Sequence, residues 1–539
     1  MDDVIAADAL LNPKSVAVVG ASDKAGSFGG QVVRNLVDFG YPGKVYAVHP
    51  RLSSLFDRPC VPSLDALPER PDCVALAVSN RQLMSLLEQA AALGIPSAVV
   101  FGDPTVGEGR APELQTQIAA LARRQRIAVC GPNAMGVYNL REKLVISGYP
   151  VRPDIPVGEV ALVTHSGTVF DAMSQNNRSV SFNYVISCGN EAVLSVADYL
   201  HHVLDDPSTR VVALYLETVR NPAGFIKGLQ RAVDKRIPIV ALKVGLSERG
   251  QAMTQAHTGA LAGGAQAYAA LFEKYGVSQV YSLDEMMDAV ELFARVRDVP
   301  KRSLAVLMES GGERSLVADH AAERGVRLAR FSEKTHLALR NALDAGVEPD
   351  NPLDAFGTGH RVTEVYQHCL SAMDTDTDTG LLLLAVDLAR DSYLSPQYVE
   401  AALAVRASLQ KPLVAMVNLS AGAHPGLMQT LREQGIPVLM GTATGLMAIG
   451  HLFEHDNFVK RGETRAEYRG RPSARLVEEI RVRLCGATAA FDEHQSKTLL
   501  SHYGLEVTRE RLGDSRVGVL EIAAQLGYPV VLKTAGAPH

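Results

Sequence analysis

The sequence predicts a multidomain α/β protein built on parallel sheets. Short apolar runs of strand length alternate with Ala- and Leu-rich helical stretches along most of the chain. Several of these runs are continuously apolar, as strands covered on both faces are. At 539 residues the chain also exceeds what one core can fill, so roughly three or four consecutive domains are expected.

The first domain, residues 1–147, has predicted strands at Ser15–Val19, Val45–Val48, Cys73–Val78, Ser97–Phe101 and Ile127–Val129. A stretch rich in Pro and Gly, Gly148–Gly158, ends it. The second domain, residues 152–300, has strands at Val160–Val163, Tyr184–Ser187, Val211–Leu216 and Ile237–Val244. The third, residues 301–458, has Leu304–Met308, Leu381–Val386, Leu413–Val417 and Val438–Met440. Residues 459–485, with the charged run Lys460–Arg471, read as a linker. In the last segment, 486–539, Asp492–Tyr503 and Val519–Leu526 read as helices, Gly504–Val507 as extended chain and Pro529–Lys533 as a strand.

Composition narrows the function. With 47% hydrophobic and 21% charged residues the chain is of the soluble globular type, and a formal charge of −6 offers no basic footprint for nucleic acid. The N-terminus lacks a basic-then-apolar signal pattern and the longest apolar runs are only strand-length, so no membrane span and a cytoplasmic location are expected. Six cysteines stand singly without a CxxC pair, which argues against a zinc site or a disulfide framework; no metal ligands are assigned.

Several glycine turns follow predicted strands. The first strand runs into Gly20–Gly30 and then a helix, where Gly20, Ser22, Lys24, Gly26, Ser27 and Gly29 form a turn able to seat phosphates on backbone amides. Its spacing is not GxGxxG, and the second strand ends at His49-Pro50 rather than at a ribose-binding acid, which disfavours a NAD dehydrogenase. A purely structural tight turn is the plain alternative. Thr164-His165-Ser166-Gly167-Thr168 and Glu309-Ser310-Gly311-Gly312 open two further helices and offer unpaired amides to an anion, or serve only as N-caps. A serine-hydrolase elbow needs GxSxG, and Thr164 occupies the first glycine position.

One histidine stands out. His257 lies in Gln255-Ala256-His257-Thr258-Gly259-Ala260-Leu261-Ala262-Gly263, among small residues after a predicted strand, where loop and helix amides can surround an attached anion. It reads as a phosphoryl carrier, or else as a loop histidine capping a helix that begins near Gly264. Glu217 ends its strand at the carboxyl edge where α/β sheets gather ligands; a carboxylate on one ring nitrogen raises the basicity of the other. Asp374, Asp376 and Asp378 imitate a calcium loop, but Ala385 stands where its bidentate Glu belongs, so they read as a solvated turn.

Four motifs in order resemble those of the NDP-forming acyl-CoA synthetases, the superfamily of succinyl-CoA synthetase and ADP-forming acetyl-CoA synthetase. They are Val18-Val19-Gly20-Ala21-Ser22, Gly131-Pro132-Asn133-Ala134-Met135-Gly136, Ser166-Gly167 with Cys188-Gly189-Asn190, and Ala256-His257-Thr258-Gly259. Asn351-Pro352-Leu353-Asp354 is similar to a motif of the third domain, and Phe491 through Lys533 looks like the opening of an ATP-grasp domain.

The resemblance implies a Rossmann-like CoA-binding domain, two flavodoxin-like domains and the start of an ATP-grasp domain. It implies an acid:CoA ligase that phosphorylates His257 from ATP, passes the phosphoryl group to a carboxylic acid and lets CoA displace phosphate. By the same match Glu217 holds His257; Ser166, Gly167, Gly311 and Gly312 cradle its phosphate; and the Gly20–Gly29 turn binds CoA. Asn133, Gly189 and Asn190 form an active-site loop, and Lys533 contacts ATP. CoA, ATP or ADP and, in a complete enzyme, Mg²⁺ are the implied cofactors. A homo-oligomer, or a separate ATP-grasp subunit, is the implied assembly. Two departures are Thr164-His165 before Ser166 and Phe101-Gly102-Asp103-Pro104 after the fourth strand. The competing expectation is a CoA-binding or sensing module without ATP-dependent turnover.

Overall fold

The computed structural model describes residues 6–105, 111, 113–178, 180–258, 264–464, 473–485 and 491–534, without the side chains of 255–258, 463, 464, 474 and 485. Two units divide the chain, Met1–Val459 and Lys460–His539.

The first unit holds three sheets. The first contains β1 (Ser15–Val19), β2 (Lys44–Val48), β3 (Ser54–Leu55), β4 (Arg58–Val61), β5 (Cys73–Leu76), β6 (Ser97–Val100) and β7 (Ala128–Cys130), in the order β3-β4-β2-β1-β5-β6-β7. Only the β3–β4 pair is antiparallel. The period of two along β1 divides its residues between two cores. Val16 and Val18 pack with Val32, Val33 and Leu36 of the helix Phe28–Asp38, while Ala17 and Val19 pack with Leu83, Leu87 and Ile118. With β2 on one side of β1 and β5 on the other, the strand order reverses at β1, where a parallel sheet opens a crevice for a ligand.

The second sheet contains β8 (Gly136–Asn139), β9 (Leu144–Ser147), β10 (Val157–Thr164), β11 (Phe182–Ser187), β12 (Val211–Leu216), β13 (Ile239–Lys243) and β14 (Ser278–Val280). Its order is β14-β13-β12-β10-β11-β8-β9, with β8 and β9 antiparallel. Both of these short strands precede residue 148, yet they pair into the second sheet. The Pro- and Gly-rich stretch therefore does not mark the passage from one sheet to the next. In β8 the run Gly-Val-Tyr-Asn is too short and too mixed in polarity to announce a strand before its partner is known.

The third sheet contains β15 (Leu304–Met308), β16 (Leu353–Asp354), β17 (Leu381–Ala385), β18 (Leu413–Val417) and β19 (Val438–Met440), all parallel, in the order β16-β15-β17-β18-β19. Second and third sheets share a core. Met286, Val290 and Phe293 of the helix Leu283–Arg295 lie in one buried cluster with Leu162 and Val240 of the second sheet and Val306, Met416 and Leu439 of the third. The polar edge of this seam is a buried bidentate pair: Arg432 donates to Glu291 at 2.6 and 2.9 Å, and Glu291 also accepts from the backbone N–H of Val438 at 2.8 Å.

Asp374, Asp376 and Asp378 are not a solvated turn. Asp374 accepts from the amides of Gln410 and Lys411, Asp376 from Ser332 N and Thr335 Oγ1, and Asp378 holds Arg327 through two bonds of 2.8 and 2.9 Å. Their carboxylates tie loops together, a use that a local charge pattern does not reveal.

The second unit has helices at Ala474–Cys485, Glu493–Ser501 and Arg516–Leu526, and no strand among its described residues. Pro529–Lys533, expected to be a strand, is irregular because no described segment supplies a ladder partner. The expected linker is also largely helical. The helix Thr442–Thr464 runs into it and Ala474–Cys485 fills its far half, where Arg475 and Glu479 pair at i,i+4.

Candidate active site

The turn after β1 is wound too tightly for side chains at three glycines. Gly20 has φ +84°, and a Cβ there would lie 2.2 Å from the carbonyl of Ala77 at the end of β5. At Gly29 it would lie 2.5 Å from the Gly20 carbonyl, and at Gly30 1.9 Å from that of Ser22, so the helix Phe28–Asp38 starts in direct contact with the turn. Ser27 caps that helix by accepting from Gly30 N at 3.1 Å, and Ser22 Oγ accepts from Lys24 N at 3.2 Å. Lys24 and Gly26 are exposed on the outer side, and nothing lies within 4 Å of where a Gly26 Cβ would stand. A bare backbone facing solvent beside a helix start and a lysine suits a phosphate-bearing ligand. Gly30→Ala is expected to push this turn outward and weaken CoA binding at least about tenfold, read by calorimetric titration; an unchanged Kd would detach the turn from CoA.

At the second sheet the strand order reverses at β10, between β12 and β11, and three loops converge on its carboxyl edge. Ser166 caps the helix Gly167–Ser174, accepting from Val169 N at 3.3 Å. Thr164 Oγ1 accepts from Ser166 N and so holds the turn from below. Gly167 is packed on Met135, whose Cγ would meet a Cβ there at 2.6 Å. The loop after β11 is bound to the loop after β7. Asn190 N donates to Pro132 O at 2.7 Å, Asn133 Nδ2 donates to Asn190 Oδ1 at 3.3 Å, and Gly189, at φ +58°, passes where a Cβ would lie 2.3 Å from Pro132 O. Ser166, Gly167, Asn133, Gly189, Asn190 and Glu217 thus occupy one edge of one sheet.

Between these loops lies His165, which the sequence flagged only as a departure. Its side chain is 3% exposed. Nε2 stands 3.2 Å from Glu191 Oε1, and Nδ1 is 3.3 Å from the backbone N of Glu217 and 3.2 Å from Tyr215 O. Burial opposes charge on this ring, while Glu191 and Glu217 favour it, and the balance lifts the imidazole above its ordinary value. Glu191 also accepts from Val196 N and lies 3.9 Å from Arg220 Nε. With Cys188, these groups bring ligand-type atoms within 4.8 Å of one another. Oε1 of Glu191 is engaged by Val196 N and the Arg220 guanidinium stands beside Oε2, while, among the described residues, Oε2 and His165 Nε2 are buried without a hydrogen-bond partner.

Glu217 and the last residue of β13, Lys243, meet behind this network. Both are buried. Lys243 Nζ donates to the carbonyls of Glu217, at 3.0 Å, and of Val244, and lies 4.7 Å above the ring of Tyr268 in the helix Ala265–Tyr275. Burial pushes its ammonium down to about 8, against the pull of Glu217. A lysine that ends an otherwise apolar strand is the signal that sequence reading passed over. Because the unfolded chain keeps this proton to a higher pH than the fold does, stability should rise with pH from about 8 upward relative to Lys243→Met. Urea midpoints of both proteins at pH 7.5 and 9.5 check this; parallel shifts would refute it.

The helix Glu248–Thr258 carries His257 in its last turn rather than in a loop. The side chains of 255–258 and all of 259–263 lie outside the described residues. The third glycine turn has an unexpected charge. Ser310 caps the helix Gly311–Glu323, but Asp354 Oδ2 is 3.3 Å from where a Gly311 Cβ would stand. Burial, with Asp387 and Asp354 nearby, raises the carboxyl of Glu309, and burial with Asp387 raises that of Glu313. A phosphate at Gly311 and Gly312 would meet these acids. In the second unit Lys533 pairs with both oxygens of Glu493, at 3.1 and 3.0 Å.

Three largely parallel sheets in series, with glycine turns at the carboxyl edges where strand order reverses, define a doubly wound α/β protein with crevices of the kind that gather ligands. Residues 14–139 match the CoA binding domain family, 157–293 the succinyl-CoA ligase like flavodoxin domain and 485–538 the ATP-grasp domain. The chain carries the domain series of the NDP-forming acyl-CoA synthetases. It is 29% identical over 541 residues to a trans-feruloyl-CoA synthase of an unknown prokaryotic organism, spanning 98% of this chain and 74% of that protein. It is 29% identical over 527 residues to the ADP-forming acetate–CoA ligase of Methanocaldococcus jannaschii, spanning 96% and 73%. In fold it is similar to the dinucleotide-forming acetyl-coenzyme A synthetase 1 of Ca. Korarchaeum cryptofilum, with TM-score 0.76 and 23% identity over 86% of this chain and 100% of that one. Among the described residues no helix is long and apolar enough to cross a membrane.

Proposed function

We propose that the chain is a carboxylic acid:CoA ligase forming ADP, with His257 as phosphoryl carrier and an acyl phosphate as the second intermediate. The observation that carries this reading is the convergence, at one sheet edge, of the Ser166–Gly167 helix start, the interlocked Asn133 and Gly189–Asn190 loops and Glu217. The activities named for the relatives support it.

A carboxylate acylates poorly because its oxide leaves badly, and phosphorylation converts that oxygen into a good leaving group. In the first step an imidazole nitrogen of His257 attacks the γ-phosphorus of ATP, which enters with Mg²⁺; an N–P bond forms, the P–O bond to ADP breaks, and Glu217 takes up the positive character of the ring. The helix start at Ser166–Gly167 offers the Gly167 amide to the transferred group. The acid's oxygen then attacks phosphorus and the N–P bond breaks. Finally the CoA thiol, losing its proton, attacks the acyl carbon and phosphate departs. The Gly20–Gly29 turn holds CoA, and Asn133, Gly189 and Asn190 border the acid. Lys533 contacts ATP, and the ligase works in the cytoplasm.

The reverse of the second step tests this without nucleotide. Acetyl or benzoyl [³²P]phosphate should leave an acid-labile, base-stable label on the chain, and excess unlabelled carboxylate should discharge it. CoA binding without label would make the chain a sensing module. Binding of NAD in place of CoA would remove both readings.

A further inference from the structure

We infer that His165 is a positioning residue for Glu217: its neutral imidazole accepts the backbone N–H of Glu217 at Nδ1 while Nε2–H faces Glu191, so one ring fixes the strand end that carries the proposed partner of His257. This rests on the reading of Glu217 given above. The geometry is specific. The Glu217 amide lies 3.3 Å from Nδ1, and the same Nδ1 lies 3.2 Å from Tyr215 O. Neutral, with its proton on Nε2, the ring can accept from Glu217. Protonated, Nδ1–H turns donor toward Tyr215 O, and the Glu217 amide loses Nδ1 as its acceptor. The ring therefore has two hydrogen-bonding states, and only one of them holds Glu217.

The charged and titratable groups around the ring set where the change falls. Glu191 faces Nε2 from the loop after β11, and Arg220 stands behind Glu191 from the loop after β12. Cys188 lies beside the pair on the β11 side. Glu217 and Tyr215 face the ring from β12 and its end, and Lys243, on β13, bonds the Glu217 carbonyl. Two carboxylates outweigh burial and raise the ring above its usual value. Phosphoryl transfer should consequently fall on the acid side as His165 gains its proton.

Two substitutions separate this from a merely structural role. Asn places an amide oxygen near the Nδ1 position and does not titrate; Gln reaches only toward Glu191. His165→Asn should keep the labelling rate by acetyl [³²P]phosphate within about threefold at pH 8 and lose the acid-side fall, whereas His165→Gln should slow it about 10–100-fold with KM for acetyl phosphate unchanged. Hydrogen exchange by mass spectrometry gives a readout independent of activity: the peptide covering Tyr215–Val219 should exchange faster in His165→Gln than in the parent and His165→Asn at the same pH. Equal protection in all three proteins, or a parent-like acid limb in His165→Asn, would overturn the assignment. A parent that takes no label but shows the exchange pattern would sink the ligase reading and leave this contact standing.

Discussion

His257→Ala is expected to abolish the label that an acyl phosphate leaves on the chain, by about 10³-fold or more, while CoA binds as before. The loss should be this complete because the carrier is the nucleophile: without it there is no atom to form the N–P bond. The chain has fifteen histidines, so another acceptor must be considered. His165, beside the same turn, is enclosed with both ring nitrogens within 3.3 Å of protein polar atoms, and cannot take up a phosphoryl group without breaking those contacts. Counting label per chain in parent and variant decides the matter. A tenth of the parent's label surviving in His257→Ala would move the carrier to another residue.

Arg432→Ala is expected to destabilise the first unit by about 3–5 kcal/mol, because it leaves the Glu291 carboxylate buried without its cation. Both side chains are about 5% exposed or less, and Glu291 sits on the helix shared by the second and third sheets. Arg432 also donates to Val438 O at 3.0 Å, tying β19 to the same helix. Replacing both members, Arg432→Met with Glu291→Met, should recover most of the loss, since an apolar pair of similar volume carries no stranded charge. Urea unfolding of the two variants checks this. A loss below about 1 kcal/mol in Arg432→Ala would place the pair in water-accessible surroundings.

The sequence made the strands at the centres of the sheets legible, and for a physical reason. Runs such as Leu304–Met308 and Val211–Leu216 are buried on both faces, so their composition alone marks them, and the structure begins and ends them at those residues. Short peripheral strands were not legible. Gly136–Asn139 and Leu353–Asp354 are strands only because a neighbour pairs with them. Pro529–Lys533 has strand composition and no described partner. Of the candidate site, the glycine turns were readable because tight turns constrain residue type directly. His165, Glu191 and Lys243 were not, since each acts through contacts between loops distant in the chain. The acids around Gly311 show the converse: their helix start was visible, but Asp354 on β16 and Asp387 in the loop after β17 add charge from distant parts of the chain.

The early ribbon of β8 and β9 governs how this protein can be dissected. A fragment cut at the inviting Pro- and Gly-rich stretch would take with it the β8–β9 ribbon, while β11, the partner of β8, stays behind. Val137 and Tyr138, fully enclosed in the whole chain, would then be bared along an open ladder, inviting association between fragments. A piece that ends shortly after β7, before Gly136, would instead strip the helix Phe28–Asp38 of this ribbon, on which Asn35 donates to Ser147 O and Tyr149 O and Val32 and Leu36 share a core with Val137 and Ile146, so neither cut leaves both sheets whole.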